Sequence, residues 1–107
     1  MKFVPNFLYK ENELNRVIRS QKREKNKIAI LFTSLWDNYS TELVNSINET
    51  TEKEGTNKTP LYIVDTFNNP HSSVIFGTTK VPHLVILNKY KTFSEDYLPK
   101  IYKELGL

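Results

Sequence analysis

Asp37, Tyr39 and His83 are the side chains whose types suit acid–base or nucleophilic work, and each lacks the companions that such work needs. Cysteine is absent, which removes disulfides, thiolate metal sites and thiol nucleophiles together. Asp37 stands before an amphipathic run. A helix-capping role there, worth about 1 kcal/mol, accounts for it better than a stranded catalytic carboxylate. His83 has no second ligand at metal-binding spacing, and His71, in the first turn of an expected short helix, is expected to be solvated. No catalytic residue, metal site or cofactor is assigned. Arg16, Arg19 and Arg23 share one helical face and form a basic stripe. The basic run Gln21–Lys27 at its end contains Glu24, lacks interleaved aromatics, and lies where helix ends normally collect cations.

These groups sit in a chain of 107 residues, the size of one domain, taken as residues 1–107. Six Phe, six Tyr and one Trp give it a sizeable core despite an apolar fraction of 38%. The net charge of +3 permits acidic partners without demanding them. The longest apolar run, Ile28 to Phe32, is strand-sized and far short of a membrane span. Phe3 and Val4 are too few for a signal-peptide core, so a cytoplasmic protein is expected, with no membrane partner. The abundance of Lys and Asn, with a single alanine at Ala29, suggests an AT-rich genome such as that of a low-GC bacterium or its phage.

A short strand is expected at Phe7–Tyr9. Glu11 to Lys25 reads as a helix, with Leu14, Val17 and Ile18 on one face and cations at its end. Ile28 to Leu35 has the uninterrupted apolarity of a strand buried on both sides. The next helix carries Trp36, Tyr39, Leu43, Val44 and Ile47 on one side, with Asp37 or Asn38 as cap. A polar loop is expected over Thr51–Pro60 and a buried strand over Leu61–Phe67. A short helix starts at Asn68-Asn69-Pro70 and ends at Gly77. Pro82 opens a strand at Leu84–Leu87, and Asn88-Lys89-Tyr90 turns into a short strand over Lys91–Phe93. The last helix begins near Ser94, late or kinked because of Pro99, and buries Leu98, Ile101, Tyr102 and Leu105. This order is α/β, with a sheet covered on both faces.

The joint spacing carries a resemblance. Asn69-Pro70, Phe76-Gly77 and Val81-Pro82-His83-Leu84 resemble the second half of thioredoxin, with its Asn-Pro, aromatic-Gly and aliphatic-Pro-Thr-Leu. Ile30-Leu31-Phe32-Thr33-Ser34-Leu35-Trp36 resembles that family's strand and the tryptophan before its active site. The resemblance spans Ile28 to Leu105. It implies a thioredoxin-like three-layer sandwich, with a central mixed sheet of four to five strands flanked by helices. It also implies a cis Val81–Pro82 bond.

Where the family has Cys-Gly-Pro-Cys, this chain has Asp37-Asn38-Tyr39-Ser40, and the family's buried Asp falls at Leu31. Thiol–disulfide exchange is therefore excluded. A hydroxyl at the position of Tyr39 activates glutathione in glutathione transferases, whose first domain is similar to thioredoxin but which carry a long second domain. The resemblance leaves the surface around Trp36, Asp37, Tyr39, Val81, Pro82 and His83, where family members present backbone groups to an extended peptide. The expected function is a redox-inactive interaction or adaptor module with a protein or extended-peptide partner. The alternatives are a nucleic-acid- or phosphate-binding accessory protein using the basic first helix, and a non-thiol enzyme.

Overall fold

The computed structural model describes residues 3–8, 11–24, 26–34, 36–50, 59–66, 80–89 and 91–107. Five strands and three helices lie within them. In chain order these are β1 (Phe3–Leu8), α1 (Glu11–Glu24), β2 (Ile28–Thr33), α2 (Asn38–Thr50), β3 (Thr59–Asp65), β4 (His83–Leu87), β5 (Thr92–Glu95) and α3 (Leu98–Leu105). The strands form one mixed sheet in the order β1-β3-β2-β4-β5. β1 and β2 run parallel to β3, while β4 runs antiparallel to both β2 and β5.

The period-two alternation of the strands sorts the core into two layers. Ala29, Leu31, Leu61, Ile63, Leu84 and Ile86 meet Leu43 and Ile47 of α2 and Ile101 and Leu105 of α3. Ile28, Ile30, Phe32, Val64, Val85 and Leu87 face the other way, onto Leu14 of α1. The step from β1 to β2 passes β3, and the step from β2 to β3 returns. Crossovers of one hand then place α1 and α2 on opposite faces. Every residue of β2 is buried, as its unbroken apolar run requires. The three-layer α/β sandwich expected from the sequence is the architecture found.

Several boundaries differ from the expected ones. β1 covers Phe3–Leu8; among the described residues it pairs with β3 alone, and at such an edge Pro5 is tolerated. β3 begins at Thr59, so the last two residues of the expected loop are strand. Ser94 is not a helix start but lies in β5; α3 starts at Leu98 with Pro99 in its first turn, where a missing N–H costs no helical bond. Gly106 ends α3 with a left-handed φ of 79°, its N–H bonded to the carbonyl of Lys103. The remaining expectations for Tyr9, Lys25, Leu35, Phe67 and Tyr90, the loop over 51–58, and the short helix between Asn68 and Gly77 with His71 lie outside the described residues. Among the described residues no helix is long and apolar enough to cross a membrane.

Candidate functional site

Parallel pairing of β2 with β3 brings Thr33 and Asp65 to one end of the sheet, and antiparallel pairing sets His83 of β4 opposite Phe32 at that same end. Open α/β sheets bind ligands at the carboxyl ends of their parallel strands. Two threonines lock this end. The Thr33 hydroxyl donates to the Val64 carbonyl at 3.1 Å, while the Thr66 N–H and hydroxyl donate to the Thr33 carbonyl at 2.9 and 3.1 Å. Thr33 directly follows the apolar run Ile28–Phe32, whereas Thr66 follows Asp65; the register that pairs the two threonines was not readable.

From Ser34 the chain turns outward. The Ser34 hydroxyl accepts the Trp36 N–H at 3.2 Å, and the Ser34 carbonyl accepts the Asp37 N–H at 3.2 Å. Trp36 stands on this turn with 82% of its surface exposed, and Tyr39, in the first turn of α2, is 60% exposed. Neither joins the buried stripe of α2, which is Ser40, Leu43 and Ile47. This corrects the expectation that both would share its apolar side. Trp36 precedes the helix, and Tyr39 lies on its first turn.

Asp37 is the helix cap. Its Oδ2 accepts the Ser40 N–H and the Ser40 hydroxyl, each at 2.9 Å, and its carbonyl accepts the Thr41 N–H at 3.1 Å. The carboxylate thus satisfies orphan donors of the first turn and places negative charge at the positive end of the helix dipole. Ser40 is almost fully buried, with its hydroxyl committed to that carboxylate.

Just before β4 the Val81–Pro82 peptide is cis. Val81 is half-buried against the α1-side core, and Pro82 is buried. The His83 side chain does not join the exposed aromatics. It is 7% exposed and stands edge-on to the Phe32 ring at a centroid distance of 6.5 Å. Its Nε2 is hydrogen-bonded to the Ser94 hydroxyl on β5, and its Nδ1 is buried without a hydrogen-bond partner. Burial holds the imidazole below its ordinary value of 6.5, against the opposing pull of the Asp96 and Glu95 carboxylates. Sequence reading placed His83 near the surface but missed Ser94, because the contact depends on the β4–β5 register.

The basic stripe is kept on α1, where Arg16, Arg19 and Arg23 are all exposed at helical spacing. Arg16 lines an open groove of about 440 Å³ with Val17, Gln21, Lys27 and Tyr62, but Arg19 and Arg23 do not line it. Arg23 lies 3.6 Å from Glu24 on exposed surface, where such a pair contributes little. Among the described residues no three His, Asp or Glu side chains are grouped to hold a metal ion.

No protein-family model matches the sequence, and no curated protein matches it at a significant level. Solved structures do match. Thioredoxin NaTrxh from Nicotiana alata superposes with a TM-score of 0.76 at 15% identity, over 98% of this chain and 90% of that one. Schistosoma mansoni thioredoxin gives 0.75 at 11% identity, over 96% of this chain and 94% of that one. Thioredoxin O2 from Arabidopsis thaliana in the oxidized state gives 0.72 at 16% identity, over 98% and 92%. The fold is thioredoxin-like. At these identities the likeness is one of fold, and within it this chain has no cysteine. Asp37 and Ser40, the counterparts of the thiol positions by motif, form a carboxylate–hydroxyl pair at the start of α2 that cannot exchange with a disulfide.

Proposed function

We propose that this thioredoxin-like domain is a redox-inactive interaction module that binds an extended segment of a partner protein at the sheet end bearing Trp36. The observation that carries this reading is the exposure of Trp36. A tryptophan held 82% in solvent on a hydrogen-bonded turn offers a partner a large apolar surface. Tyr39 adds a second exposed aromatic on the adjacent helical turn, and Trp and Tyr dominate binding hot spots. The β2–β4 register, continued by one pair and the next, runs from Phe32–His83 toward Ser34 and Val81. An extended peptide would therefore lie across Trp36, Tyr39 and the backbone of Val81. Asp37, Pro82 and His83 support that surface from beneath rather than touching the ligand: the first caps α2, and the other two are buried.

The test is selection of a displayed random-peptide library on the intact chain, followed by binding to Trp36→Ala. Binding of the selected peptides should weaken by about 2 kcal/mol or more while the fold is kept. Charge reversal at Arg16, Arg19 and Arg23 should leave it unchanged. The converse pattern, with arginine dependence and steep loss in salt, would assign binding to the basic helix instead.

A further inference from the structure

The free edge of β5 carries a pattern that matches only itself. Among the described residues β5 pairs with β4 alone, so its other edge is open. The Asn88 N–H donates to the Lys91 carbonyl at 2.9 Å across the tight turn, which makes 88 and 91 a hydrogen-bonded pair. Alternation along an antiparallel ladder then assigns the backbone groups of Phe93 and Glu95 to β4 and those of Thr92 and Ser94 to the open side. On the face that β5 shares with Ile86 and Leu84 stand Lys91, Phe93 and Glu95, in that order. Lys91 is exposed, Phe93 is 45% exposed, and Glu95 is half-buried with its Oε1 lacking any hydrogen bond. That oxygen is buried and is ion-paired with the Lys100 ammonium at 3.8 Å.

We propose that β5 pairs with β5 of a second copy of this chain, antiparallel, about a two-fold axis passing beside Phe93. Thr92 of each copy then opposes Ser94 of the other, and the outward backbone groups of both close into four hydrogen bonds. Phe93 meets its own counterpart in the non-hydrogen-bonded position, where strands come closest and side chains touch. Lys91 of each copy stands opposite Glu95 of the other, an opposite-charge pair across the two strands. Charge selects this register. A shift of two residues in one direction sets Lys91 against Phe93, and in the other sets Phe93 against Glu95. Lysine at an open edge normally deters pairing with foreign strands; here the same strand supplies its complement, so the edge rejects other chains and accepts its own. An edge of four residues buries less than the roughly 1,000 Å² of a stable interface, so the dimer is in equilibrium with monomer. The proposal is independent of the Trp36 surface.

The absence of cysteine makes the test clean. Phe93→Cys places one thiol per copy beside the axis, at Cα separations of about 4.5 Å that a disulfide accepts. Under mild oxidation it should give a disulfide-linked dimer, whereas Lys91→Cys should not, and Lys91→Cys combined with Glu95→Cys should. In sedimentation of the chain without cysteine, Lys91→Glu should lower dimerisation at least tenfold, and adding Glu95→Lys should restore it. Thr92→Pro removes an N–H that β4 does not use, so it should abolish the dimer with an unchanged circular dichroism spectrum. A chain that stays monomeric at millimolar concentration, or a dimer indifferent to Lys91→Glu and Thr92→Pro, overturns the proposal.

Discussion

Asp37 and Ser40 show at the scale of single residues how this chain uses positions where thioredoxins carry thiols. A thiolate at a helix start is stabilised by the dipole, and the same field here favours a carboxylate that bonds the helix it caps. Asp37→Ala strips two acceptor contacts from Ser40, and the expected loss is about 1 kcal/mol in urea denaturation. Asp37→Asn should recover most of it, and equal stability of Asp37→Ala and the parent would contradict the cap. His83 makes a prediction in pH. Burial lowers its folded-state pKa, so the unfolded chain binds the proton more readily. Its contribution is complete above about pH 6.5, the ordinary value, and is lost as pH falls through the lowered one. Stability between pH 7.5 and 5 should therefore fall less steeply in His83→Leu than in the parent. Parallel slopes would mean that the ring titrates normally.

Elements differ in how far the sequence disclosed them, and burial explains the difference. β2 and the following helix were legible because two covered faces leave an apolar run, and one covered face leaves a 3.6-residue stripe. β1 was read too short because Pro5 breaks a strand pattern unless the strand is known to be an edge. β5 was read as starting one residue early and ending two residues early, and the last helix was placed four residues too far back, since Thr92-Phe93-Ser94-Glu95 has one large apolar side chain and suits either element. The site was legible in type and incomplete in arrangement: the capping role of Asp37 follows from its position, whereas the Ser94 bond that buries His83 follows from register. Trp36 misled for a related reason, because helical spacing extended backward from Leu43 includes it although the helix begins two residues later. The stability of the central strand is concentrated in groups such as Leu31, fully buried with Leu43, Leu84 and Ile101. Leu31→Ala should cost about 2–5 kcal/mol, read as a lowered denaturation midpoint with an unchanged slope. A cost under 1 kcal/mol would contradict the assigned core.

For the molecule as a whole, the sheet separates two surfaces. The Trp36 end lies where β2 and β3 finish and β4 begins, while the β5 edge runs along the side of the sheet. Antiparallel pairing of two copies points their Trp36 ends in opposite directions, so a dimer would offer two peptide sites to separate partners rather than one enlarged site. The net charge of +3 is modest, and the exposed arginines of α1 stand apart from the sheet end that bears Trp36, so charge reversal there separates the basic-helix alternative from the Trp36 surface. The central claim, that partners bind at the exposed tryptophan, has a direct reporter because Trp36 is the sole tryptophan of the chain. Its emission, recorded while a library-selected peptide is titrated in, should start at the long wavelength of a solvated indole. It should move to shorter wavelength and saturate with the binding isotherm. Binding that saturates while the Trp36 emission stays fixed would place the partner elsewhere and contradict the account.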